Sequence, residues 1–449
     1  YLAHIDRQIA FGKRELERTA SEQPELQQLA KMYFDRAVDR RAALTGRYEG
    51  NILNAFDYYQ RKGKIEILGT AATYAFLPFC CPYPEAVQAQ IEVALSFYRQ
   101  YLGIRPQGFW LPELGWSGEI DAHLKQYNFG FTIVDTHGFV FGRPAPVRGT
   151  FFPVKTPSGL FVLGRDFYAG KDFQRMAAEG PYRDNSRDSG YELPPEAIVP
   201  CVNPNGTRCC TGFKYWKVSL KRGQSEVYDP AAARAAAEEH ARSFLEARIG
   251  RLSEAAQHME EVPLSLCTSG AGNFGRYWYE GPRFLEALFR LAPGYRELQF
   301  MTPSEYLCRQ HIVSVEESIP EFASGGPNGY AEAWLHASSD WMYRHLVRAV
   351  DRMVELAERF PDDTGLKERA LNQAAREILL AQASDWPKLL YKQDSTEYAR
   401  RQIEESLRNF TTIYEALGSN YISTEWLTSL ERRHNIFANI NYRVFRRKR

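Results

Sequence analysis

The sequence lacks a charge excess: 56 Lys plus Arg stand against 55 Asp plus Glu, leaving +1. No field of one sign recommends nucleic acid or an anionic membrane as a partner. It also lacks an uninterrupted apolar stretch of membrane-spanning length, and no signal or transit peptide pattern lies in the residues given. Cysteine is sparse and unpatterned: Cys80, Cys81, Cys201, Cys209, Cys210, Cys267 and Cys308 show no CxxC spacing and no His at zinc-finger intervals. A disulfide or soft-metal site among Cys201, Cys209 and Cys210 stays open, but free thiols are expected, and with them the cytoplasm or another reducing compartment such as an organelle stroma. No metal and no cofactor is expected. There is no initiator Met either. Tyr1 lies inside an amphipathic helical pattern with Leu2, Ile5 and Ile9 on one face, so the chain is expected to start in mid-domain. The one lopsided stretch is the end, where Arg443, Arg446, Arg447, Lys448 and Arg449 read either as a docking patch or as a frayed, solvated terminus.

What is present alternates strand and helix patterns over the first 310 residues. Residues 1 to about 60 read as helices. A β-prone run, Lys64 to Thr70, and the apolar run from Gly108 flank a predicted helix over 85–102, a βαβ unit implying parallel pairing. The second run ends in Trp110-Leu111-Pro112-Glu113, and Pro112 cannot continue a central strand. Glu113 is thereby placed just past a strand's C-terminal end, where barrel enzymes gather catalytic groups; a loop glutamate is the competing reading. A second buried strand, Gly130 to Asp135, is followed by Thr136-His137-Gly138, and Val147 to Arg165 reads as a hairpin around Pro157-Ser158-Gly159. Arg165 suits either a substrate group or an ion pair with Asp135 or Asp166.

From Tyr168 to about Cys210 the periodicity fades, and a long insertion over one rim is expected. Asp229-Pro230 then opens a strong helix to about Ile249. Val262 to Cys267 and Leu298 to Phe300 read as further strands. Beyond about 310 the pattern is of long helices, with Met342, Leu346, Ala349, Met353 and Leu356 at 3–4 spacing. Tryptophan beside aspartate recurs there, in Trp334, Asp340-Trp341 and Asp385-Trp386. Such pairs suit glucose rings, and equally a helical core.

Several separated segments together resemble glycoside hydrolase family 57, within it the α-1,4-glucan branching enzymes. They are Lys64-Ile65-Glu66 with Ala71 to Thr73 and Phe76-Leu77-Pro78; Gly108 to Glu113; Asp135 to Gly138; Phe152 to Val154 with Gly164-Arg165-Asp166; Thr211 to Tyr215; Tyr279 to Pro282; Thr302 to Leu307; Asp340-Trp341; and Ala381 to Pro387. The resemblance implies an α/β fold: a seven-stranded (β/α) barrel over 1–167 and 211–309, here lacking its start, a lid at 168–210, and an all-helical domain over 310–449. It implies a retaining enzyme that cleaves an α-1,4 bond and remakes it as α-1,6. Glu113 matches the nucleophile, and Trp110, Asp135, His137, Arg165, Trp216, Trp278, Trp334, Asp340, Trp341, Asp385 and Trp386 are the candidate glucan contacts.

Retaining chemistry needs a second carboxylate about 5 Å away as acid and base. Aligning Gly275 and Tyr279 to Pro282 on the family's motif puts Gly270 at that aspartate, with Gly272 for its Glu and Arg276 for its His. The family's HxPY-like first motif is absent, and Tyr74 stands where branching enzymes usually have His. General acid help is worth about two to four powers of ten, so weak or lost activity is expected. The alternative is a pseudoenzyme, an α-glucan-binding or structural subunit with a protein partner or a homo-oligomer. A metal-dependent deacetylase on a similar barrel would need more than His137 beside Asp135.

Overall fold

The computed structural model describes residues 1–203, 205–218, 226–309 and 315–448. The chain forms two compact units: Tyr1–Ile65 with Asp166–His258 and Cys267–Met301, and Glu66–Arg165 with Met259–Leu266 and Thr302–Arg449.

The first unit is helical. Leu2–Glu22 and Gln27–Ala42 pair through Phe11, Leu26, Leu29 and Tyr33, all buried. Pro230–Ala256 begins where Asp229 accepts from the amides of Ala231 and Ala232, and it buries Ala233, Ala237, Ala241 and Phe244 at 3–4 spacing. One helix was not legible. Phe167–Glu179 lies where fading periodicity suggested only an insertion. Asp166 caps it by accepting from Tyr168 and Ala169, and Ala169, Phe173 and Met176 are its buried face.

The second unit holds the sheet, whose strands β1 (Gly108–Phe109), β2 (Phe131–Val134), β3 (Val154–Lys155) and β4 (Phe161–Gly164) lie in the order β1-β2-β4-β3. Strands β1, β2 and β4 run parallel, and β3 returns antiparallel against β4 as the expected hairpin. Single parallel bridges continue the sheet on both sides, Gly69 to Phe109 and Arg165 to Leu266. The runs read as strands over 64–70 and 262–267 thus contribute one bridged residue each, and 298–300 is not a strand. The parallel order follows from the crossover helices Pro84–Leu102 and Gly118–Gln126.

Beyond 315 the helices Asp340–Arg359, Gly365–Ala381, Asp385–Lys392, Thr396–Gly418 and Thr424–Arg433 bury Met353, Leu371, Ile378, Phe410 and Leu427. The expected boundary near 310 lies outside the described residues. The basic end is neither frayed nor a free patch. Tyr442 and Phe445 are fully buried, Gln88 donates to the carbonyls of Val444 and Arg446, and Arg443 pairs with Glu368. Arg449 lies outside the described residues.

Candidate active site

The site begins where β1 ends. Trp110 donates its indole N–H to the hydroxyl of Tyr74 at 3.0 Å, and its carbonyl accepts from Thr70. The chain then turns through Pro112–Leu114, and Glu113 and Leu114 both sit in the left-handed region, at φ 56° and 54°. Non-glycine residues pay conformational energy there and stay only when their surroundings hold them. Here the hold is identifiable. The Gly325 amide donates to the Glu113 carbonyl at 2.6 Å, and Trp116 forms an antiparallel bridge with Ala323. A side chain at Gly325 would meet that carbonyl at 3.1 Å, so glycine permits the approach.

The Glu113 carboxylate, 13% exposed, receives both oxygens' contacts from Lys388 Nζ at 3.0 Å, and Ser384 Oγ lies at 3.4 Å. Both partners come from the Ser384-Asp385-Trp386-Pro387-Lys388 stretch. Lys388 was missed in the sequence, because 275 residues separate it from Glu113 and no local pattern marks it. Trp334 lies beneath, its ring centroid 5.8 Å from Lys388 Nζ, and it stacks on Phe76 at 5.1 Å.

At the end of β2 the buried Asp135 carboxylate is gripped by Arg165 through Nε at 2.8 Å and Nη2 at 2.7 Å. His137 Nδ1 lies 3.7 Å from Asp135, and its Nε2 meets the Gly329 carbonyl at 2.8 Å. Burial pushes the Asp135 carboxyl up, but His137 and Arg165 outweigh it and hold it below its ordinary range. The neighbouring Asp135 carboxylate raises the His137 imidazole. Gly329, at φ +83°, is required here, since a Cβ would strike His137 at 2.5 Å.

Of the other candidates, some are buried and some exposed. Trp334 and Trp278 are 1% and 2% exposed, and their rings pack as core. Trp216, half-buried, donates to Glu192 and lies under Arg187. Trp341 donates to the Ser338 carbonyl and Trp386 to that of Leu380, while Asp340 and Asp385 are exposed at helix starts. Gly270 is exposed, and a Cβ built on it meets nothing within 4 Å, whereas one on Gly272 would crowd Tyr277 at 3.1 Å. Among the described residues no three His, Cys, Asp or Glu groups converge as for a metal.

Residues 13–169 match the model of glycosyl hydrolase family 57, and the chain belongs to that family. Residues 345–445 match the C-terminal domain of 1,4-alpha-glucan branching enzymes. The chain is 27% identical over 429 residues to 1,4-alpha-glucan branching enzyme TK1436 of Thermococcus kodakarensis, covering 90% of this chain and 62% of that protein. It therefore spans about three fifths of that curated relative's length. Among solved structures it superposes on the alpha-amylase AmyC of Thermotoga maritima with a TM-score of 0.92 and 34% identity, covering 100% of this chain and 86% of that one. The family 57 branching enzyme of Pyrococcus horikoshii gives 0.87 at 24% identity, covering 100% and 83%, a likeness of fold.

Proposed function

We propose that this chain is a branching-enzyme-like member of family 57 whose nucleophile is kept and whose acid and base is lost, leaving α-1,4-glucan transfer weak or absent. The observation that carries the first half is Glu113, a carboxylate at a strand end on backbone held in a costly conformation. In a retaining reaction Glu113 attacks the anomeric carbon as the glycosidic oxygen leaves, forming a glucosyl ester; an acceptor 6-hydroxyl, or water for hydrolysis, then displaces the carboxylate. The departing oxygen needs a proton and the acceptor must lose one. Gly270 at the matched aspartate position can do neither. The likeness to a protein described as an alpha-amylase keeps hydrolysis as the weak activity's other form.

The family match also supports a seven-stranded (β/α) barrel over 1–167 and 211–309, a rim insertion at 168–210, and a helical domain over 310–449. We assign glucan contacts to Trp110, Asp135, His137, Arg165, Trp341, Asp385 and Trp386, and a reducing compartment on the strength of the odd number and unpatterned spacing of the cysteines.

An α-glucosyl fluoride tests the nucleophile separately, because fluoride leaves without a proton. With the base missing as well, the glucosyl ester should persist. One added glucosyl on the Glu113 peptide is expected, absent in Glu113→Gln; no label, or a label surviving that substitution, sinks the reading. A second reading, a non-catalytic glucan-binding or structural subunit, is favoured by the Lys388 ion pair, which occupies both carboxylate oxygens. It expects retention on amylose or a stable complex in native mass measurement, without turnover. Finding neither contradicts it.

A further inference from the structure

Within the first unit, Arg36, Arg40 and Arg183 line one cavity of about 120 Å³ together with Tyr33, Tyr279 and Gln8. On this measure roughly 10–15 Å³ holds a water molecule, so the space admits a small ligand. Arg183 is 8% exposed and its buried Nε has no partner. Its guanidinium lies 3.6 Å over the Tyr279 ring, and Arg36 covers the same ring at 4.7 Å while donating to the Tyr279 hydroxyl. Among the described residues none of the three forms an ion pair with a carboxylate. Glu280 is the nearby acid. It accepts from the Arg183 backbone amide and is attracted by the Arg183 charge, though burial still raises its carboxyl, so one acid stands against three guanidinium groups.

Three guanidinium groups around one space repel one another. Burial, then Arg40 and Arg283, lower Arg36, and burial, then Arg183, lower Arg40. Arginine stays charged in proteins, so the repulsion is relieved by an anion rather than by proton loss. One arginine already satisfies a carboxylate through a planar fork; three converging cations suit a dianionic tetrahedral group. We propose that this cavity binds a phosphoryl group, carried by inorganic phosphate or by a phosphorylated sugar. The site is independent of the Glu113 reading.

Titration calorimetry on the full chain tests it, with inorganic phosphate, glucose 6-phosphate, glucose and acetate as probes. Saturable binding of at least one phosphate compound is expected, with no heat from glucose. Loss of a charge-assisted hydrogen bond should weaken that binding about tenfold or more in Arg36→Gln and in Arg40→Gln. Arg40 is exposed, so its variant should fold even where Arg183→Gln does not. Tighter glucose 6-phosphate identifies a sugar phosphate, and equal affinities identify free phosphate; either supports the site. No saturable phosphate binding, affinities unchanged in both variants, or equal competition by acetate overturns it.

Discussion

Glu113 is defined by what holds it: a positive-φ turn, an amide from Gly325 and an ammonium from Lys388. The ammonium matters for chemistry. A carboxylate with both oxygens occupied must lose that partner before a lone pair can reach carbon, so the pair lowers reactivity in proportion to its strength. Lys388→Met is therefore expected to speed glucosyl fluoride labelling of Glu113 about tenfold, the size of one charge-assisted contact. Equal or slower labelling would show that Lys388 supports the nucleophile instead. Position and type of Glu113 were legible from the sequence, because Pro112 marks the strand's end. Its clamp was not, since Gly325 and Lys388 approach across more than two hundred residues. Arg165 was open between substrate and ion pair, and the structure shows the pair with Asp135.

At the scale of elements, long helices were legible because their 3–4 periodicity repeats over several turns, as in Asp340–Arg359. Strands β1 to β4 lie on runs read as strands, whereas 64–70 and 262–267 contribute one bridged residue each and 298–300 none, because runs so short carry too little alternation to fix their pairing. Helix Phe167–Glu179 escaped notice despite a capping aspartate, since glycines and charges around it mask its apolar face. The helical end carries a polar core that sequence pattern also hid. Glu377, fully buried, receives Gln373, Asn409 and His434, with His434 Nδ1 at 2.8 Å. The hydrogen bond to Glu377 raises the His434 imidazole above its ordinary value. A raised histidine contributes stability that is full below its unfolded value, about 6.5, and fades as pH climbs through the folded one. His434→Gln should thus destabilise more at pH 5.5 than at pH 9 in urea unfolding; a pH-independent loss would place the effect in packing alone.

For the whole molecule, the superposition on the family 57 branching enzyme of Pyrococcus horikoshii covers the entire chain, a likeness of fold that the proposed loss of the acid at Gly270 leaves intact. The proposed function joins a kept scaffold and nucleophile to a missing proton donor. The structure leaves open space around Gly270, so an aspartate fits there without displacing a neighbour. The most direct measurement is the rate of transfer and hydrolysis on amylose by the native chain and by Gly270→Asp. A native rate near the detection limit is expected, with a rise of about a hundredfold or more in the variant, the span of general acid help. Brisk native turnover that Gly270→Asp leaves unchanged would contradict the proposed function.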